Sequence, residues 1–524
     1  MTITTAKRPR VIDRLSRLPR LAPLAAAALL LSNPCYADWK FTPTLGLTET
    51  YTDNVNLQRD ELARSAWVTD LAPGFSAFAN SRRLKLMAGA QYHQFVYGGQ
   101  QAQNTNDSQY QYRLDAKSML VDELLYLDAA ASGGPQAVSA FGPQVNSNLY
   151  AMGNRTNVRT WRISPYLRHH FGRSADMALR YTRDAVDAGQ RNPFGSSNGD
   201  SVALDLASGE SWRDLGWGLN LSRQDVDNRL AGQTTAETAV GNLRYRLSRT
   251  WSATASAGYD KYDYQALGGR TAGRNWSAGF IWTPSSRTTV QASYGRHFFG
   301  KTGSLAASLR TRRTAWSINY SDIITTTRQQ FLLPAAIDTA SMLDRLFSSS
   351  IPDPAARAQA VAAYMQATGL PPALANNVNY LSNRFMREKG LRAAAIVRGA
   401  HGDLVLSAYQ VDRTALSLQQ SDSQLLGSQL ATLNDNTSQR GLEATWNYRL
   451  NARSSAQLAA IATRTRSLST GVVNTNQVLR AGLVRQLSGK LAAAVEVRHV
   501  IGDLGAGASR YRENAVSATL SKQF

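Results

Sequence analysis

The chain is poor in the residues that carry most redox, metal and nucleophilic chemistry. Of its 524 residues, one is cysteine and six are histidine. A lone cysteine excludes an internal disulfide and a thiolate metal cage. Acids are few beside bases, 37 against 58, which gives a formal net charge of +21. No apolar run reaches the roughly 20 residues of a transmembrane helix. No glycine-rich loop of the nucleotide-binding type is present.

What is present begins with a basic head. Lys7, Arg8, Arg10, Arg14, Arg17 and Arg20 stand against a single acid, Asp13. The run LAPLAAAALLL at 21–31 has the length of a signal-peptide core. Cys35 and Ala37 then put small residues at −3 and −1 of a cut before Asp38. Residues 1–37 are expected to be a cleaved signal and 38–524 the mature chain. Lipid attachment at Cys35 would call for small apolar residues before it, and Ser32, Asn33 and Pro34 stand there instead. The cut removes the cysteine with six bases and one acid, taking the net charge to +16.

Beyond residue 38 the dominant signal is alternation with a period of two, the mark of a strand with two unlike faces. Leu84, Leu86, Ala88, Ala90 and Tyr92 oppose Lys85, Gln91 and His93. Leu442, Ala444, Trp446 and Tyr448 alternate with Glu443, Thr445, Asn447 and Arg449. Connections alternate as well. Short links near 80–83, 172–174, 209–211, 248–250, 284–286, 399–402, 451–453 and 488–489 are separated by longer polar stretches such as 98–107, 133–155, 225–235 and 414–436. Short turns at one end and long loops at the other are what outer-membrane barrels have. The pattern predicts an all-β fold, a transmembrane antiparallel β-barrel of about 22 strands (range 16–22) with both termini on the periplasmic side. The expected location is the outer membrane of a Gram-negative cell.

Trp67, Tyr97, Trp161, Trp251, Tyr262, Trp276, Trp282 and Trp316 fall near predicted strand ends, where aromatic girdles belong. Phe524 closes an alternating last strand and resembles the signal read by the barrel assembly machinery, although Lys522 stands where an apolar residue is usual. The first strand, 44–52, stops at Asp53 and Asn54, turn formers that are poor in strands. At an outer rim the same pair could hold a cation or a sugar; the strand stop is the simpler reading.

Alternation lapses over 325–389. Asp353 and Pro354 suit a helix start, 355–368 is rich in helix formers, and Gly369 with Pro371 and Pro372 ends it. Shorter helical stretches are predicted at 341–347 and 373–381. The segment is expected to be a mainly helical insert on the external side. It would act as a cap or as a plug turned into a lumen wide enough to need one, and both a structural lid and a gate stay open.

Several runs carry a resemblance to a known family: TETYTDNV at 48–55, APGF at 72–75, YSDIITTTRQQFLL at 320–333, IPDP at 351–354 and YLSNRF at 380–385. The chain resembles the outer-membrane β-barrel proteins associated with the PEP-CTERM and exosortase system, encoded among exopolysaccharide genes. The likeness runs over most of the mature chain. It implies a role in polysaccharide secretion or biofilm-type matrix, and no agreed catalytic or binding residues.

If the apolar face meets lipid, the other face lines the interior. That puts Lys85, Arg113, Lys117, Arg162, Arg168, Arg180, Arg244, Arg246, Arg310, Arg392, Arg398, Arg449, Arg480 and Arg498 inside. Inward acids are fewer: Asp70, Asp115, Asp176, Asp205, Glu443 and Glu496. A net positive lumen favours anionic solutes, and arginine pairs bidentately with carboxylates such as those of uronic acids. The same bases could instead brace the wall in ladders with inward acids. They are spread around the strands, which argues against nucleic acid.

Catalysis finds no constellation. His93 and His297 face inward singly, His169 and His170 point to opposite faces, and no spacing marks a metal site. No cofactor is expected. The expectation is a non-enzymatic barrel, seated in outer-membrane lipid, that assists secretion of an anionic polysaccharide with other export components. A barrel that anchors extracellular matrix and an anion-preferring uptake porin are the alternatives.

Overall fold

Strands with one apolar and one polar face cannot pack as a two-sided core, and here they close on themselves. The computed structural model describes residues 38–98, 107–143, 154–188, 195–229, 232–264, 266–268, 270–332, 342–344, 361, 378–418, 432–505 and 509–524. The expected signal, 1–37, lies outside them, as does most of 325–389.

The first eleven strands are β1 (Asp38–Thr52), β2 (Ala66–Asn80), β3 (Leu84–Gly98), β4 (Ser108–Val121), β5 (Leu125–Ala137), β6 (Arg155–Phe171), β7 (Ala175–Asp187), β8 (Ser196–Ser208), β9 (Leu215–Asn228), β10 (Gly232–Arg246) and β11 (Trp251–Asp263). The rest are β12 (Ala272–Ser285), β13 (Thr288–His297), β14 (Gly300–Arg310), β15 (Thr314–Thr325), β16 (Met386–Arg398), β17 (Gly402–Ala415), β18 (Thr437–Arg449), β19 (Ser454–Ser467), β20 (Val473–Ser488), β21 (Leu491–Asp503) and β22 (Arg510–Gln523). Each pairs antiparallel with its neighbours in sequence, and β1 pairs with β22 from Thr44 opposite Gln523 to Thr52 opposite Ala515. The 22 strands form one closed sheet, which removes every free edge along the wall.

Connections of two to six residues lie at the end that holds β1's start and β22's finish. The long ones, 53–65, 138–154, 326–385 and 416–436, lie at the other. Several strands run further than the polar stretches predicted. β9 and β10 stay paired through Asn228 and Gly232, within the expected loop 225–235, and β5 continues to Ala137. Polar residues pair as well as apolar ones above the lipid, so composition misplaces that end of the strand. β1 begins at Asp38, with Trp39 and Phe41 continuing the outward row. Met386–Lys389, expected within the insert, pair with Thr325–Asp322 as the start of β16.

Facing follows from register. Trp39, Phe41, Leu45, Leu47, Tyr51 and Trp67 are exposed on the outer surface, and the same parity carries round to Leu442, Leu479, Val516 and Leu520. Each such half-exposed side chain would cost on the order of 1–2 kcal/mol if left in water; lipid removes that cost. Of the aromatics predicted for girdles, Trp67, Trp161, Trp251, Trp276, Trp282 and Trp316 face outward, whereas Tyr97 and Tyr262 face inward. On β11 outward Trp251 and Tyr259 mark two levels. Eight residues apart, they span about 27 Å of strand and roughly 20 Å of height at a usual tilt.

Candidate functional site

The inner wall divides into two halves by charge. Register puts all the bases predicted for the lumen on the inward face, but their surroundings differ. In the short-turn half, Lys85 lies directly opposite Lys117. Arg244 and Arg246 close β10, and Arg449 closes β18. These five are exposed and make no ion pair among the described residues. Arg398 is exposed at the same level and Arg310 half-buried. Arg168 lies over the rings of Tyr126 and Tyr166, 5.6 and 5.5 Å from their centres.

Several inward acids of this wall are engaged elsewhere. Arg180 holds Asp128 at 3.0 Å, His170 holds Asp176 at 2.5 Å, and Asn220 donates to Asp205. Arg113 turns to Asp115 on its own strand, 2.7 Å away. Arg480 stands in mid-wall near Glu443. The free positive charge therefore gathers at one mouth.

The long-loop half is the reverse, buried and neutralised. Chain leaving β15 forms a short helix, α1 (Thr327–Leu332), that docks on the wall made by β6 to β9. Arg328 of α1 is buried, pairs with Asp184 of β7, and donates from Nε to Ser197 Oγ of β8 at 2.9 Å. Burial pulls its guanidinium below the usual arginine range, and Asp184 opposes that shift. Gly199 makes room: a Cβ there would lie 2.5 Å from the Arg328 Nη2. Gln329 reaches Gln224 of β9 at 3.2 Å, and Arg162 of β6 donates to the Leu332 carbonyl at 3.2 Å. Phe331 and Leu332 pack beside buried Leu381, Val158 and Val186.

The returning limb, 378–385, ties the opposite side. Glu388 of β16 accepts from Arg392 at 2.8 Å and from Arg413 of β17 at 3.0 Å. Arg413 also donates to Gln330 of α1 at 2.6 Å and to Asn379 at 2.9 Å. The buried Tyr380 hydroxyl donates to the Asn434 carbonyl at 3.1 Å, and its backbone bridges Ala137 at the end of β5. Arg384 pairs with Asp435 and donates to the Ser417 carbonyl. The described parts of 326–385 thus touch β5 to β9 on one side and β16 to β18 on the other, and lie across the long-loop mouth. Met342, Leu343 and Val361 are helical and buried. The described end of the stretch predicted helical at 373–381, residues 378–381, is not helical, because the Tyr380 backbone bridges Ala137 and its hydroxyl is tied to Asn434; most other predicted helical residues fall outside the described ones.

The seam between β1 and β22 uses the other predicted residues. Asp53 accepts from the Asn514 backbone and side-chain amides, both at 2.7 Å. Asn54 is buried and bonded to Gln58 and to the Arg512 carbonyl. Arg498 pairs with buried Glu513 at 3.0 Å, and Thr52 donates to the same carboxylate. Phe524 is exposed; its N–H donates to the Pro43 carbonyl at 3.0 Å, and Lys522 Nζ sits 4.8 Å from its ring centre. Among the described residues no group of three His, Cys, Asp or Glu could hold a metal.

Sequence reading did not single out Arg328, Asp184, Glu388, Arg413 or Arg384. Parity alone could have marked Asp184 and Arg413 as inward. Nothing periodic says which wall Arg328 reaches.

A closed barrel with a lipid-compatible outside, a polar inside and aromatic levels at both ends has one natural solvent. The chain is an outer-membrane β-barrel. The short-turn mouth is its periplasmic end. No family model matches the chain, and no curated protein matches it. It is similar to solved structures of the FrpB iron transporter from Neisseria meningitidis (F5-1 variant; 10% identity, 95% of this chain and 84% of that one, TM-score 0.47) and of the siderophore receptor PirA from Pseudomonas aeruginosa (10%, 92% and 80%, 0.43). It is also similar to the ferric-catecholate import receptor Fiu from E. coli K12 (9%, 93% and 82%, 0.47). Likeness at this level assigns no activity.

Proposed function

We propose that the barrel assists export of an acidic exopolysaccharide, which enters the lumen at the periplasmic mouth. The observation that carries this reading is the asymmetry of charge. Lys85, Lys117, Arg244, Arg246 and Arg449 are free at the periplasmic mouth, while the luminal Arg328, Arg413, Arg384 and Arg498 toward the outer mouth are held by Asp184, Glu388, Asp435 and Glu513. Carboxylates of a polymer arriving from the periplasm meet exchangeable cations first. Spread over many strands, these bind weakly at several points, as passage requires. The segment across the outer mouth then gives way. Its described attachments are side-chain ion pairs and hydrogen bonds, a small apolar cluster and a few backbone hydrogen bonds, none of them part of the strand ladder, so they can part without opening the barrel. The driving force comes from other export components. The sequence resemblance to exosortase-linked barrels agrees with a polysaccharide cargo.

Deleting the protein from its own host tests this. Acidic polysaccharide should accumulate inside the outer membrane, wild-type protein should restore secretion, and the Arg244→Glu/Arg246→Glu variant should not. Unchanged secretion in the deletion strain contradicts the reading.

A further inference from the structure

The outer surface carries a feature that passage through the lumen does not use. On β16 to β20 the lipid-facing rows thin out to Ala393, Ala395, Ala408, Ala444, Ala460 and Ala462. Between the larger Trp316, Leu406, Leu442 and Leu479 they leave a groove of about 770 Å³, almost wholly apolar. Its volume is within the usual range for a bound small molecule, about 300–1,000 Å³.

Directly above the groove, toward the outer mouth, Arg440 of β18 lies opposite Arg464 of β19, and Arg466 is the next outward residue on β19. All three are exposed and make no ion pair or hydrogen bond among the described residues. Like charges directly opposite on a sheet are destabilising, with Cβ atoms about 5 Å apart. They also stand where other strands present aromatics, such as Tyr51, Trp67, Tyr259 and Tyr294. Leu442 opposite Ala462 is the next outward pair below, about 7 Å along the strands. Cations at the headgroup level above an apolar groove match one molecule in both parts.

We propose that this face binds an anionic lipid of the outer leaflet that carries phosphate on its headgroup. The phosphate sits among Arg440, Arg464 and Arg466, accepting forked guanidinium hydrogen bonds. An acyl chain follows the alanine groove beneath. Bound lipid removes the repulsion between the opposed arginines and fixes the barrel's height in the membrane.

The test uses the full barrel in detergent, incubated with purified lipid A and read by native mass spectrometry. Wild type should keep a bound lipid A through detergent exchange. Arg440→Gln/Arg464→Gln should retain at least ten-fold less, as should Ala460→Trp, which fills the groove. Arg485→Gln, outward at the opposite end of β20, should retain it as wild type does. Dephosphorylated lipid A should not be retained, and inorganic phosphate at the same concentration should not displace the lipid. Heat-modifiable mobility reports folding of each variant, and Ala460→Trp carries the test if the double variant fails to fold. Equal retention by wild type and the folded variants, equal retention of the dephosphorylated lipid, or displacement by free phosphate overturns the proposal.

Discussion

Arg328 of the luminal helix pairs with Asp184 of β7, although the helix follows β15, eight strands round the wall. That pair fixes the segment across the outer mouth. Both partners are buried, so each depends on the other. Breaking a buried pair by removing one side costs about 3–5 kcal/mol.

Arg328→Ala should therefore release α1 while leaving the barrel folded. Conductance in planar bilayers should rise several-fold over wild type. Gly199→Val should do the same by another route, since its side chain occupies the Arg328 site and a β-branched residue suits a strand. Wild-type conductance in both variants would mean that this docking does not narrow the pore.

Glu388→Gln leaves Arg392 and Arg413 without their shared anion. The returning limb should loosen. Limited proteolysis of the folded barrel should cut within 326–385 at least ten-fold faster than in wild type, with the strands intact. An unchanged cleavage rate would show that the limb is held by its Tyr380 and Arg384 bonds alone.

Charge reversal at the periplasmic mouth should change selectivity. Lys85→Glu/Lys117→Glu replaces two opposed cations with two anions. The anion preference of an Arg328→Ala pore should fall several-fold in this background. If the ratio stays put, ions are selected elsewhere along the wall.

Removing Phe524 takes away the last hydrogen bond of the seam, to the Pro43 carbonyl. Less folded barrel should reach the membrane, by several-fold, than after removal of a loop residue such as Ser469. Equal levels of the two would show that the terminal residue is not used in assembly.

Much of the wall was legible because lipid and water impose opposite chemistry on alternate residues. Leu442, Ala444 and Trp446 could face only one solvent, and Glu443 and Thr445 only the other; the same alternation marks the membrane level of many strands. The facing of Lys85, Arg244 and Arg449 came from the same rule. Whether a given base is free did not. Arg328 meets Ser197 across 131 residues and Arg162 meets Leu332 across 170, and no period links such positions. Strand ends above the membrane, as at Asn228 and Gly232, were hidden because polar residues there serve strand and loop alike. The opposed Arg440 and Arg464 became visible only with register.

A periplasmic mouth lined by free cations should admit acidic polymer in preference to neutral polymer. The direct measurement is current through single Arg328→Ala barrels of known orientation, with polyuronate or neutral dextran of equal length added to one side. Polyuronate should block the pore frequently from the periplasmic side and at least ten-fold more rarely from the outer side, and dextran should have little effect. Blockade that ignores the polymer's charge, or a pore that prefers cations, would contradict it.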